Sequence, residues 1–230
     1  MTTALNGSPT GRVAIVTGGS RGVGGATVRR LAARGYAVVV DYLHDQRAAE
    51  LTVEAILAGK GDAMAVRADV ADDLDVQRLF AETIAAFGGV DAVVHTAGGH
   101  PTGTPVAEVG LGEFDALVRL NMRATFVVNR EAARCLRNGG AIVNLSGSAD
   151  DSSLRAHGLY MATKAFTNVL TQALALEQHE RDITVNAVSP AVGRPCIPGR
   201  IADIIAYLLS DDGHRLTGQV LGVGDATLRP

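Results

Sequence analysis

The stretch RVAIVTGGSRGVGGATVRRLAARG, residues 12–35, decides the fold. Its opening residues, RVAIVT (12–17), are largely apolar and rich in valine and isoleucine, as in a strand covered on both faces. Residues 24–35 space their apolar side chains as a helix does and stop at Gly35. Between the two, TGGSRGVGGA (17–26) gathers glycine where a strand must turn sharply into a helix. Gly18, Gly22 and Gly24 let the backbone turn, approach a pyrophosphate and pack the helix on the sheet. The helix N-terminus then offers free amides to the phosphate. The spacing is GxxxGxG, not GxGxxG. Glycine-rich turns also arise for structural reasons, so the surrounding elements have to carry the nucleotide reading.

Outward from this unit the same alternation repeats. AVVVDY (37–42), AMAVRA (63–68), VDAVVHT (90–96), AIVNLS (141–146), ITVNAVS (183–189) and QVLGV (219–223) read as six further strands. Helical patterns lie between them, over 46–59, 72–87, 114–136, 160–178 and 201–210. Repeated β-α units of this size predict a Rossmann-type α/β fold: a doubly wound parallel sheet of about seven strands with helices on both faces. No repeat or linker divides the chain. Residues 1–10 read as a mobile tail and 11–230 as a single dinucleotide-binding and catalytic domain.

Composition narrows the function classes. With 47% hydrophobic and 20% charged residues among 230, the chain is that of a folded globular protein. A net charge of −3 argues against nucleic acid as a partner. No apolar run is long enough to span a membrane, and the start lacks the regions of a signal peptide. The two cysteines, Cys135 and Cys196, have neither metal-ligand nor disulfide-framework spacing. No metal is expected, and a cytoplasmic location is.

Two regions offer chemistry. Asp41, at the end of the second strand, stands where a carboxylate can bind the ribose hydroxyls of NAD. Arg21, inside the glycine loop, can instead pair with the 2′-phosphate of NADP. The second region is NLSGSADDSSLRAHGLYMATKAF (144–166), where Tyr160 and Lys164 are four apart and share a helix face. An ammonium beside a phenol favours its ionised form, which suits proton transfer. The chain holds two lysines, Lys60 and Lys164, so a lysine at this point is notable. His157 is also near enough to be weighed as an acid, although a solvent-facing place at the helix start is expected of it.

Taken in order, TGGSRGVG, Asp69 in RADV, Thr96-Ala97-Gly98, Asn121 in LNMRATF, Tyr160-x-x-x-Lys164 and ITVNAVSP resemble the short-chain dehydrogenase/reductase family, over about residues 11–224. The resemblance implies an NAD(P)(H)-dependent oxidoreductase interconverting a carbonyl and an alcohol. Gly18, Ser20, Arg21, Gly22, Val23 and Gly24 would surround the pyrophosphate, with Asp41 and Tyr42 at the ribose and Asp69 and Val70 at the adenine. Thr96, Ala97, Gly98 and Pro190 would complete the cofactor contacts. Tyr160 would transfer the proton, Lys164 would bind the nicotinamide ribose, and Asn121 would hold a relay water, unless it is a buried asparagine bonded to backbone. Aligned on VVVDY, the acidic residue of NAD-dependent members falls at Tyr42, which together with Arg21 points to NADP(H), with NAD(H) as the alternative. The resemblance also implies a homodimer or homotetramer, built on the helices at roughly 112–137 and 157–178, where Phe126, Val127, Phe166 and Val169 are apolar.

The same pattern breaks in places. The family's catalytic serine falls at Gly147, thirteen residues before Tyr160, with Ser146 and Ser148 on either side. No serine is in register, and Ser148 is the best substitute; Asp150 and Asp151 are further polar candidates. His95 and Thr96 replace paired asparagines, Ala191 replaces a glycine, and Pro195 stands where a threonine usually meets the cofactor. Seven residues separate Pro190 from Pro198, where the family inserts a helical substrate lid. An absent lid favours a bulky or carrier-bound small-molecule substrate and a ketoreductase role in biosynthesis. The departures leave two alternatives: a non-redox step on the same fold (cyclisation, dehydration or isomerisation), or a non-catalytic relative.

Overall fold

The computed structural model describes residues 11–99, 103–148, 151–192 and 197–223, with backbone alone for 151–153 and 156. Seven strands form one parallel sheet: β1 (Val13–Thr17), β2 (Ala37–Tyr42), β3 (Ala63–Arg67), β4 (Val90–His95), β5 (Leu136–Leu145), β6 (Thr184–Pro190) and β7 (Val220–Val223). Their spatial order is β3-β2-β1-β4-β5-β6-β7. The chain thus builds outward from β1 in one direction and returns to build from β4 in the other. The crevice between β1 and β4 is the switch point where such sheets bind ligands.

The continuous apolar strands follow from burial on both faces. In β1, Val13 and Ile15 face one core, while Ala14 and Val16 face the other. The first core is closed by α3 (Asp73–Phe87), α5 (Ala124–Cys135) and α6 (Asp151–Glu177), through Leu79, Phe80, Val128 and Leu174. The second is closed by α1 (Gly22–Ala32), α2 (Gln46–Ala58) and α7 (Pro198–Leu208), through Leu31, Val53, Ile201 and Ile205. Capping residues set the starts: the Asp45 side chain accepts from Ala48 N ahead of α2, and Asp72 accepts from Leu74 N and Asp75 N ahead of α3.

Two elements differ from the sequence expectation. The helix expected over 114–136 is α4 (Leu111–Leu117), a π-helical turn (Val118–Arg123) and α5 in succession. The wide turn carries Asn121, and such turns recur at functional sites. The helix expected from 160 begins at Asp151 and kinks at His157, whose φ −132° and ψ 24° are not helical.

Candidate active site

The glycine loop is built as its composition requires. Gly18 and Gly22 take φ +64° and +57°, left-handed angles that favour glycine. A Cβ on Gly24 would lie 2.2 Å from Gly18 O and 2.6 Å from Thr96 Oγ1, so helix and loop can approach this closely at glycine alone. Arg21 precedes α1 without a side-chain cap, which leaves the first helical amides free for an anion. The loop is held from β2: Asp41 O accepts from Gly19 N at 2.9 Å, and Asp41 Oδ2 from Gly18 N at 3.2 Å. A cleft of about 440 Å³ opens here, lined among others by Ser20, Arg21, Tyr42, Asp69, Val70, Ala97 and Gly98. A narrow glycine cradle, uncapped amides and a cleft at the switch point fit a dinucleotide.

Charges at the β2–β3 end are paired. Arg21 Nη1 lies 3.1 Å from Asp45 Oδ2, and Arg119 Nη2 lies 2.6 Å from Asp69 Oδ2. Burial opposes ionisation of Asp69, but Arg119 and the Ala71 amide outweigh it and hold the carboxyl below the usual range. Asp41 is different. It is 2% exposed, its Oδ1 has no hydrogen-bond partner, and burial pushes the carboxyl up to about 7, against the pull of the Gly18 amide. Its side chain therefore braces the loop from inside.

The other end of the cleft is assembled by β4, β5 and α6. Lys164 is 6% exposed; its Nζ donates to Leu145 O at 3.2 Å and sits 5.5 Å from the Tyr160 ring centroid. Burial lowers the Lys164 ammonium to about 8 and raises the Tyr160 phenol above its ordinary value. This reverses the direction expected for the phenol, because burial disfavours its ionised form. Asn121, also buried, accepts from Gly99 N at 2.8 Å through Oδ1 and donates to Thr163 Oγ1 at 2.9 Å. A Cβ on Gly98 would come 3.0 Å from Asn121 Oδ1 and 3.6 Å from Lys164 Nζ, so Gly98 lets these groups converge.

A Cβ on Gly147 would stand 3.6 Å from Tyr160 Cε1 and 3.5 Å from Lys164 Cγ, at ordinary contact distance. The residue facing Tyr160 is therefore Gly147, and a side chain there has room. Ser146 is buried, with its hydroxyl donating to Asn168 Oδ1 at 2.5 Å. Ser148 pairs its amide with Pro190 O at 2.9 Å, and its hydroxyl reaches Ser189 O at 3.4 Å. Strand-end alternation turns both serines away from the face that Gly147 presents. Pro190 ends β6 and α7 begins at Pro198, which leaves no length for a helical lid.

Three polar residues were not picked out from sequence. Thr17 Oγ1 accepts from Thr96 N and Ala97 N and lies 2.8 Å from His95 Nδ1. With its acceptor sites so used, the hydroxyl donates to Nδ1, and His95 carries its proton on Nε2, which is buried without a partner. Burial depresses this imidazole to about 3, so it is neutral. Thr163 and Asp45 are the others; an aspartate ahead of a helical pattern was the available signal for Asp45. His157 is half-buried, not solvent-facing, and its Nδ1 is enclosed with no partner. Pro195, Asp150, Cys196, the tail 1–10 and the Asp151 side chain lie outside the described residues. Among the described residues no helix is long and apolar enough to cross a membrane.

A doubly wound sheet with a phosphate-sized glycine cradle at its switch point, and a tyrosine–lysine pair across the same crevice, defines a dinucleotide-dependent oxidoreductase. The comparisons with known proteins give the family. Residues 12–195 match the family model described as short chain dehydrogenase, and the chain belongs to that family. It is 34% identical to versicolorin reductase 1 of Aspergillus parasiticus over 259 aligned positions, covering 95% of this chain and 97% of that protein. It is 32% identical to a hydroxynaphthalene reductase-like protein of Metarhizium robertsii, covering 93% and 94% respectively. A short chain dehydrogenase from Burkholderia cenocepacia, solved in complex with NADP, superposes with a TM-score of 0.85 at 31% identity, covering 94% of this chain and 98% of the other. The chain is an NAD(P)(H)-dependent oxidoreductase interconverting a carbonyl and an alcohol. The redox reading stands over the non-redox and non-catalytic ones.

Proposed function

We propose that this enzyme uses NADPH to reduce the carbonyl of a bulky, ring-containing or carrier-bound substrate. The observation that carries the substrate class is the short interval from β6, ending at Pro190, to α7, beginning at Pro198, which has no length for a helical lid. The names of the relatives support it, since a hydroxynaphthalene is a fused bicyclic aromatic. Arg21 in the glycine loop and the relative solved with NADP support the phosphorylated cofactor.

A bound NADPH supplies the hydride. Tyr160 donates its proton to the substrate oxygen, for which a phenol held neutral by burial is suited. Lys164 hydrogen-bonds the nicotinamide ribose and restores the Tyr160 proton by way of Asn121 and water. Ser148 supplies the second hydrogen bond to the carbonyl oxygen after a small shift of its loop brings the hydroxyl round to the Tyr160 face. Its 3.4 Å contact with Ser189 O is at the long limit for a hydrogen bond, so the hydroxyl is cheaply released. Gly18, Gly22 and Gly24 cradle the pyrophosphate, Tyr42, Asp69 and Val70 surround the adenosine, and Thr96 and Pro190 flank the nicotinamide half. Residues 11–230 act as one domain. The assembly is a homo-oligomer in which Phe126 and Val169, exposed on α5 and α6, meet a second copy. Val127, grouped with them on sequence, belongs to the core instead.

The test is NADPH consumption by the purified protein with a bicyclic aromatic ketone, such as a tetralone, and with a small acyclic ketone. Faster turnover of the bicyclic ketone is expected. Equal rates would remove the argument from the missing lid, and no consumption with any ketone would remove the reductase assignment.

A further inference from the structure

The β2–β3 end of the cleft holds a charge pair for which proton and hydride transfer have no use. Asp45 caps α2, its Oδ1 accepting from Ala48 N at 3.0 Å. Its Oδ2 lies 3.1 Å from Arg21 Nη1, and both residues line the cleft. The carboxylate is thus fixed from two sides: the helix amide holds its position and the guanidinium its orientation. The Arg21 side chain is 71% exposed and free to swing, whereas Asp45, at 30%, cannot leave without uncapping α2. The cations nearby are engaged elsewhere. Arg47 faces Glu50 and Glu54, and Arg67 Nε donates to Leu43 O at 3.1 Å. Asp41, the other carboxylate of this corner, is turned inward onto the Gly18 amide. His44, exposed, lines the same corner.

We propose that Asp45 sets the cofactor selectivity of this enzyme, by competing with the 2′-phosphate of NADP(H) for Arg21. The proposal rests on the NADP(H) assignment above. A phosphate arriving beside Arg21 must share the guanidinium with a carboxylate that cannot move aside, so part of the phosphate's attraction is cancelled. NADH meets no such conflict. Its ribose hydroxyls can donate to Asp45, as they do to the acidic residue of NAD sites generally. The enzyme therefore discriminates weakly and accepts both reduced cofactors.

Asp45→Asn removes the charge and keeps an oxygen for the Ala48 amide, since asparagine caps as well as aspartate. The protein and this variant are titrated by calorimetry with NADPH, NADH and adenosine 2′,5′-bisphosphate, the last a probe of the phosphate corner with no nicotinamide. In the variant NADPH and the bisphosphate should tighten about three- to tenfold, the range for freeing one partly exposed guanidinium to meet a phosphate. NADH should weaken or stay unchanged, and the gain should shrink in high salt. In an Arg21→Ala background the same change should give almost no gain. An NADPH-to-NADH affinity ratio unaltered by Asp45→Asn overturns the proposal while leaving the cofactor assignment intact; so does a full gain without Arg21. If the unsubstituted protein binds neither dinucleotide, the cofactor assignment itself fails.

Discussion

The two ends of the cleft are built on opposite electrostatic principles. Around Tyr160 the polar groups are dry: Lys164, Asn121, His95 and Ser146 are all buried, and each sits in a defined hydrogen bond. Around Arg21 the charges are wet and matched in pairs, Arg21 with Asp45 and Arg119 with Asp69. In a desolvated site a single polar atom matters greatly, because no water replaces it. In a solvated one, charges adjust and preferences stay shallow. Substitutions at the Tyr160 end should therefore change rate by orders of magnitude, and those at the Arg21 end should change affinity by small factors.

The strongest test of that contrast is Tyr160→Phe. It removes one hydroxyl and keeps the ring under Lys164, so NADPH binding should be unchanged while kcat falls by about 10³-fold or more, within the range for loss of a general acid. Retained turnover would take Tyr160 out of the chemistry and end the argument that the dry end is the catalytic one.

Next in size is pH. Burial brings the Lys164 ammonium down to about 8. With Lys164 charged the ribose contact and proton return are intact; above about pH 8 the charge is lost. The rate of reduction should thus hold on the acid side and fall by about tenfold per unit beyond that value, as for one required acid. A profile flat to pH 10 would separate Lys164 from the proton path. Smaller again are the serine effects. Ser148→Ala should lower kcat about tenfold, less than a preorganised oxyanion donor because the hydroxyl must first turn. Gly147→Ser, for which the space beside Tyr160 exists, should recover that loss in the Ser148→Ala background. An unchanged rate in Ser148→Ala would leave Tyr160 as the lone donor.

Much of this was legible in sequence because it depends on local pattern. The inner strands show as apolar runs since both faces are covered, and the glycine loop shows because Gly18 and Gly22 need φ values other residues avoid. Tyr160 and Lys164 could be paired because four residues is one helical turn. What sequence could not supply was direction. That Gly147 faces Tyr160 while its serine neighbours turn away depends on how β5 meets β6. That Asp41 points inward and Asp45 outward depends on β2 ending against the glycine loop. The kink at His157 and the wide turn at Asn121 are tertiary outcomes within patterns that read as plain helix. The phenol shift came out reversed because burial, which depends on the tertiary packing around Tyr160, sets its sign.

Asp41 blurs the contrast, being a dry carboxylate at the wet end, and its own titration measures how dry. Its folded value is raised to about 7 by burial, from an ordinary value of 3.8. Below about pH 4 the group is protonated folded or unfolded and takes nothing from stability. As pH rises from about 4 to 7 the unfolded chain releases the proton and the folded one keeps it, so stability falls; above 7 the loss is constant. Asp41→Asn cannot titrate. Its amide still offers an oxygen to Gly18 N, and its NH₂ takes the place of the unpartnered Oδ1, which when protonated is an unpartnered donor as well. The two proteins should therefore melt alike at pH 4, and the variant should gain about 4 kcal/mol on the parent by pH 8, the rise from 3.8 to about 7 converted by linkage. His95, depressed to about 3, titrates in the opposite sense but identically in both proteins, so it cancels from the difference. Lys164 acts only above about pH 8. A difference in stability that does not change between pH 4 and 8, measured without cofactor, would mean that Asp41 is hydrated and that the whole β2 end of the cleft is wet.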